Sequence, residues 1–431
     1  MKSVKQSTIL LLGLSILFLL SFVNYTVTRD LSDRVIVEKG VVEMASTLKT
    51  CVVPVALVLG LLLMLLAKDG NTKRVFRVFF SFNTLFLASL AWLFFTQSSL
   101  IENPKFIGGF YLWANMSMLV PMVLVWGFAN QEYTFGTAAI QYPVIGILFV
   151  SIGLFISSRF IIWAYAHPDT YGVTLTATSI LNFLILLVYL GLTNVELGFR
   201  EKGKDLKWGY TIALAVVVFS IAYVKRFPEI LFKAQVRSLI PDSSSYATLM
   251  GMCGAWELGA VLCSFVPALL IGLILYFVNG PRWFSWVCGL VTILVFLIGF
   301  SIFGLLLDPQ ISQADLLLIG QENAFIFALL GMLVLLKELA FFGISHKDRL
   351  STKIAIDLIV FSSVPVLANA TLVIGATICD GLLQSGDFYT ALFSVALVLC
   401  IVAFYRIHKD LKNGLGDSGE RKIEEHTLAV V

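Results

Sequence analysis

This sequence predicts an all-helical membrane protein of about twelve spans in two six-helix bundles, and three observations carry that prediction. The chain is 58% hydrophobic and only 13% charged over 431 residues, with a mean hydropathy of +0.92. Soluble globular domains do not have such a composition. Its apolar residues fall in continuous runs rather than in alternation, which leaves helices and not a β-barrel as the spanning element. The runs form two equal sets on either side of one polar block, Glu196 to Trp208 (ELGFREKGKDLKW).

Windows of about 20 apolar residues mark the spans. The first set is Thr8–Thr26, Leu48–Lys68, Val75–Thr96, Phe106–Asn130, Ile140–Phe160 and Leu175–Val195. The second is Tyr210–Val224, Tyr246–Val278, Phe284–Leu307, Ala324–Ile344, Ile354–Ile378 and Phe388–Ile407. The eighth and eleventh are long, so tilt or a break is expected there. The first apolar run has no small-residue cleavage site before Val23, which makes it a span and not a signal peptide. The expected domains are an N-terminal bundle over 1–195, a linker over 196–209, a C-terminal bundle over 210–409 and a tail over 410–431. This plan is that of transporters built from two parallel-related bundles.

Lysine and arginine set the orientation. Lys68, Lys73, Arg74 and Arg77, then Arg200, Lys202, Lys204 and Lys207, then Lys347 and Arg349, fall on one side, with Lys2, Lys5, Arg406, Lys409 and Lys412 at the ends. That side is expected to be cytoplasmic, with both termini there. The six cysteines lie in or beside apolar runs without CxxC spacing, and the four histidines are scattered. No metal and no cofactor are expected. Nor is an enzyme: no loop can hold a soluble catalytic domain, and no P-loop or Ser/His/Asp set is present.

Charge carried into a membrane is costly and usually lines a pathway. Four blocks carry it. The stretch Phe22–Pro54 holds Arg29, Asp30, Asp33, Arg34, Glu38, Lys39, Glu43 and Lys49. Lys49 enters an unbroken apolar run, so it lies at or inside the membrane face, as a pathway residue or as a lysine that snorkels to the headgroups. The second block is Trp126-Gly127-Phe128-Ala129-Asn130 with Gln141-Tyr142-Pro143, where Pro143 suits a helix start. The third, Lys225 to Lys233, contains Pro228, which should kink or end the seventh helix, and Glu229 and Lys233 at a four-residue spacing. The fourth holds Lys337-Glu338, then Arg349, Lys353 and Asp357. Lys337 and Glu338 are neighbours pointing about 100° apart, so each needs another partner. Lys353 and Asp357 are four apart and can pair along one face. Cations spread over both halves suit a phosphate-bearing solute, because phosphates take several charge-assisted donors at once.

These blocks resemble the ATP/ADP translocases of obligate intracellular bacteria and plastids. Asn24-Tyr25-Thr26 with Arg29-Asp30 and Asp33, Glu43 and Leu48-Lys49-Thr50, and Trp126–Asn130 match that family's motifs. So do Tyr142-Pro143 with Gly146, Glu229 and Lys233, Pro241, Tyr246, Met250 and Gly251. Lys337-Glu338 with Ala340, and Lys353, Ala355, Ile356 and Asp357, complete the likeness over roughly a quarter of the chain. The departures are Ala114 in place of a glutamate, Leu333-Val334-Leu335 in place of Phe-Asp-Pro, and Gly343 in place of a proline.

The resemblance implies a major-facilitator-like fold, nucleotide exchange across a bacterial inner membrane, and transport roles for Lys49, Glu229 and Lys353. The expected substrate contacts are Lys49, Glu229, Lys233, Lys353, Arg29 and Asn130, with Glu257, Lys337, Glu338 and Asp357 as coupling candidates. The expected partners are a nucleotide, ATP or ADP, and the bilayer, with the chain a monomer and no nucleic acid bound. Two alternatives stand beside the ATP/ADP antiporter. One is a proton-coupled net importer of nucleotides or related phosphorylated metabolites, in which a buried Glu257 takes up protons. The other is a membrane scaffold on a degenerate transporter fold.

Overall fold

The computed structural model describes residues 2–38, 45–67, 72–96, 102–166, 170–193, 208–239, 252, 256, 259–277, 280–306, 313–378 and 386–428. The fold is all-α. Among the described residues, nine helices are long and apolar enough to cross a membrane, and three shorter apolar helices, Thr50–Leu66, Trp208–Val224 and Trp286–Ile302, stand at expected spans. The chain is a multi-pass membrane protein.

In the first sequence half, helices run over Lys2–Glu38, Ala45–Leu66, Thr72–Phe95 and Pro104–Glu132. The fifth is Phe135–Pro143, a π-helical turn Val144–Phe149, and Val150–Ala166; the sixth is Tyr171–Thr193. In the second half they run over Trp208–Leu239, Phe265–Phe277, Gly280–Leu306 and Gln313–Ala340. The eleventh is His346–Lys353, a π-helical turn Ile354–Val360, and Phe361–Ile378; the twelfth is Gly386–Leu428.

The described chain sorts into two compact units. One comprises 1–134, 148–201 and 346–362, the other 135–147, 202–345 and 363–431. Each half of the sequence therefore lends one segment to the other unit, at the start of the fifth helix and at the start of the eleventh.

In the first unit the first helix packs on the fourth and sixth, the third on the sixth, and the second on the π-helical turn of the eleventh. In the second unit the seventh packs on the tenth and twelfth, the ninth on the twelfth, and the eighth on the start of the fifth. The second scheme is the first shifted by six helices, as a parallel repeat requires.

A buried polar knot holds the first unit. Asn83 Nδ2 donates to Ser117 Oγ (2.8 Å) and Asn182 Oδ1 (2.9 Å). Asn182 Nδ2 donates to Asn24 Oδ1 (2.8 Å), and Asn24 Nδ2 to the Ser117 carbonyl (3.1 Å). Trp113 Nε1 donates to Asn83 Oδ1 (3.0 Å). Four helices are thus joined through side-chain amides in an apolar interior, where an unmet donor or acceptor costs about 1–3 kcal/mol. Asn83→Leu strands Asn182 Oδ1 and the Trp113 indole N–H together. It is expected to lower the unfolding midpoint of the detergent-purified chain by several degrees, read by intrinsic fluorescence.

Three expectations are corrected. The tenth helix begins at Gln313, well before Ala324. The polar run Gln321-Glu322-Asn323 hid its first turns from the hydropathy windows, yet a helix satisfies its own backbone and needs no apolar side chain at each position. Pro228 does not end the seventh helix, which continues to Leu239. A proline removes one backbone hydrogen bond, and a long helix packed on two neighbours survives that loss. Pro143 does not start a helix: it closes nine α-helical residues and the π-helical turn follows it.

Candidate substrate-binding site

The WGFAN segment near the end of the fourth helix divides its labour. Trp126 packs edge-on against Phe18 at 4.4 Å between centroids, and Phe128 against Tyr189 at 4.9 Å. These rings fix the fourth helix to the first and sixth. Gly127 and Asn130 serve a different neighbour, the start of the eleventh helix.

A Cβ on Gly127 would lie 2.5 Å from Leu350 Cδ1 and 3.7 Å from Lys353 Cδ. The bare glycine is what lets that helix approach. Arg349 Nη1 donates to the Asn130 carbonyl at 2.6 Å. That carbonyl lies in the last turn of the fourth helix, where the helix dipole favours a cation. Arg349 is 1% exposed and Asn130 0%, so the contact is closed to water.

One turn further along, Lys353 is 0% exposed and forms an ion pair with Asp357. The turn that follows Lys353 and contains Asp357 is π-helical, a form that occurs mostly as short insertions at functional sites. Arg349, Lys353 and Asp357 are spaced by four along one helix, carrying two positive charges and one negative in a buried stripe. Ammonium and guanidinium groups beside a helix end form a place where a phosphate can be held by charge-assisted hydrogen bonds. Filling the notch is expected to abolish this arrangement. Gly127→Leu should reduce transport about tenfold or more while leaving membrane abundance within a factor of two, measured by uptake and by immunoblot.

The structure places three of the residues expected from the sequence, Asn130, Lys353 and Asp357, in one unit, where Arg349 bonds to Asn130 and Lys353 pairs with Asp357. Lys337 and Glu338 lie in the other unit and pair with each other at 2.7 Å, with Lys337 also 5.9 Å from the Phe341 ring centroid. The pair between these neighbours was not anticipated from the sequence, where each was expected to need another partner. A lysine side chain is long and flexible enough to fold back across the turn, and burial of both groups favours it. Arg29 is exposed on the first helix. The side chains of Lys49, Glu229 and Lys233, and the whole of Glu257, lie outside the described residues.

Arg34, one of the charges in the Phe22–Pro54 stretch, is a structural clamp. Its Nη1 donates to the Ala164 carbonyl (3.0 Å) and Thr170 Oγ1 (3.1 Å), and its guanidinium lies 4.8 Å from the Tyr171 ring centroid. Gly343, where the translocases carry a proline, faces the Tyr210 ring: a Cβ there would fall 2.5 Å from Cζ. The Tyr210 hydroxyl donates to the Ala340 carbonyl, so the departure makes room for this contact. Glu322 went unnoticed in the sequence. It lies within the tenth span and accepts a hydrogen bond from Ser301 Oγ at 2.8 Å. The signal was present as an acid between Leu316 and Ala324, but it sat outside the apolar window.

The fold defines a class, a multi-pass all-helical membrane protein with a major-facilitator-like fold. Solved structures place it there by fold. A bacterial homologue of the iron transporter ferroportin in an outward-facing state matches with a TM-score of 0.61 at 11% identity, covering 92% of this chain and 99% of its own. The major facilitator superfamily transporter FucP in the outward conformation matches with a TM-score of 0.57 at 11% identity, covering 91% and 98%.

The particular resemblance drawn from the motifs is borne out: residues 3–107 match the family model described as TLC ATP/ADP transporter. ADP,ATP carrier protein 1 of Chlamydia pneumoniae is 23% identical over 417 residues, spanning 78% of this chain and 78% of its own length. The chloroplastic ADP,ATP carrier protein 2 of Arabidopsis thaliana is 25% identical over 291 residues, spanning 55% of this chain and 47% of its own length. The chain thus covers about half the length of that plastid relative.

Proposed function

We propose that this chain is a nucleotide transporter that exchanges ATP for ADP by alternating access. The observation that supports the reading best is the buried stripe of Arg349, Lys353 and Asp357 seated on Gly127 and Asn130. It sets two cations in a water-poor interior, in a chain similar to carriers named for ADP and ATP. In this reading Lys353 holds phosphate oxygens together with Lys49 and Lys233. Arg29, Glu229 and Asn130 complete the substrate shell, and Glu257, Lys337 and Glu338 serve the change of facing state. The expected bundles are 1–195 and 210–409, with linker 196–209, tail 410–431 and both termini on the cytoplasmic side of a bacterial inner membrane. The chain works as a monomer.

Exchange requires that substrate lower the barrier between the two facing states, so that the empty carrier stays put. Uptake of labelled ATP into cells expressing the chain tests this. Preloaded ADP is expected to speed uptake severalfold, and a protonophore to leave the exchange rate unchanged. Absence of nucleotide uptake under every gradient would contradict the reading, and uptake that collapses with the protonophore would replace exchange by proton-driven import.

A further inference from the structure

We propose that the outward side of the fifth helix carries a binding site for an anionic phospholipid with a hydroxyl-bearing headgroup, whose phosphodiester is held by Arg159. The inference is independent of the transport reading and of what is carried.

The last stretch of the fifth helix, Val150–Ala166, has two faces. Ser151, Ser157 and Ala164 are buried, on a helix that packs against the first. The approach is close: a Cβ on Gly153 would lie 3.4 Å from the Leu19 carbonyl oxygen. The other face consists of Phe155, Ser158, Arg159, Ile162 and Trp163, all exposed. Spacings of three and four make these residues one stripe. They belong to a membrane span, Phe135–Ala164, so an exposed and mostly apolar stripe on it faces lipid.

Arg159 is the one charge on that stripe. A charge within a span is costly and is kept where a partner meets it. Among the described residues its partner is the Phe155 ring, 5.2 Å from the guanidinium carbon. A ring attracts the cation but offers no oxygen to its five N–H donors. Those donors form a planar fork that matches a phosphate in bidentate fashion. Arg159 stands seven positions before Ala166, about 10 Å along the helix axis. Trp163 lies one turn nearer that end, and tryptophans of spanning helices settle at headgroup level. An arginine stem turned past Ile162 brings the guanidinium to that level while its methylenes stay on apolar surface.

The rest of the stripe selects among phospholipids. Phe155, Ser158, Ile162 and Trp163 are uncharged, so one positive charge awaits balance. A lipid with a net negative charge supplies it, whereas a zwitterionic lipid brings a cation of its own to compete for the same phosphate. Ser158 Oγ donates to the Phe155 carbonyl at 2.8 Å. Its proton is committed and its oxygen is left as an acceptor, which suits a headgroup hydroxyl. Phosphatidylglycerol has both features, and its acyl chains would run along Phe155 toward the bilayer centre.

Trp163 is a local reporter for the test. The purified full chain in neutral detergent is titrated with phosphatidylglycerol or phosphatidylcholine carrying brominated acyl chains, which quench nearby indoles. The Trp163 signal is the difference between the wild type and Trp163→Phe, since the chain has eight tryptophans. Phosphatidylglycerol is expected to quench it at about fivefold lower mole fraction than phosphatidylcholine. Arg159→Gln should erase that preference, and Arg159→Lys should keep part of it. Equal quenching by the two lipids in the wild type, or an unchanged preference in Arg159→Gln, overturns the inference. Soluble glycerol phosphate at millimolar concentration should not reverse the quenching; reversal would mean a site for free phosphate and would overturn a lipid site. If Arg159→Gln does not accumulate, the wild type decides: the preference should shrink as salt is raised, and a salt-independent preference overturns the inference. No quenching of Trp163 by either lipid would mean that another protein surface covers the stripe, and that result also overturns it.

Discussion

Lys353→Ala is expected to reduce ATP/ADP exchange about 100-fold. A charge-assisted hydrogen bond contributes about 1.5–3 kcal/mol, and each 1.4 kcal/mol is about a factor of ten. The substitution has a second effect that must be separated from the first. Removing one partner of a buried pair costs about 3–5 kcal/mol, so the single variant is also expected to accumulate less in the membrane. The neutral pair Lys353→Gln with Asp357→Asn keeps the shape and discards both charges. It should restore abundance to near the wild-type level while exchange stays down by the same 100-fold. Recovery of exchange in that double variant would show that Lys353 acts only by keeping Asp357 company.

The largest structural effect is expected at Gly272. A Cβ on Gly272 would land on the carbonyl oxygen of Ala139, with the Ala139 carbonyl carbon at 3.0 Å. Both residues belong to the second unit, where the eighth helix crosses the start of the fifth. The obstacle is backbone in the middle of a helix, which cannot rotate away as a side-chain tip can. Helices in a membrane gain their association from close packing, so forcing this crossing apart removes its main attraction. Overpacking costs about 1–3 kcal/mol and more where the backbone must move. Gly272→Leu is expected to lower the unfolding midpoint by roughly ten degrees or to prevent accumulation, whereas Gly109→Leu, where a Cβ meets nothing within 4 Å, should be neutral. Equal stability of the two variants would mean that the crossing is looser than described.

The helices were legible because a membrane span announces itself as an apolar run, and the six-plus-six plan because a single polar block divides the runs. Spacing also announced the Lys353–Asp357 pair, since four residues bring two side chains to one face. What stayed hidden depends on contacts that no local pattern encodes. The contact from Arg349 to Asn130 spans 219 residues of sequence. Asn83 and Asn182 look like ordinary polar interruptions until their helices meet. The two π-helical turns leave no compositional mark, because a changed hydrogen-bond register does not need a changed residue type. The Lys337–Glu338 pair was not foreseen because the 100° spacing describes where Cβ atoms point, not where a long side chain ends.

Equilibrium binding of radiolabelled ATP to the purified full chain tests the central claim most directly. Cold ADP and tripolyphosphate should displace the label, adenosine should not, and the neutral pair at positions 353 and 357 should bind at least tenfold more weakly than the wild type. Adenosine competing as well as ADP, or unaltered ATP binding by the neutral pair, would contradict a phosphate site on the eleventh helix.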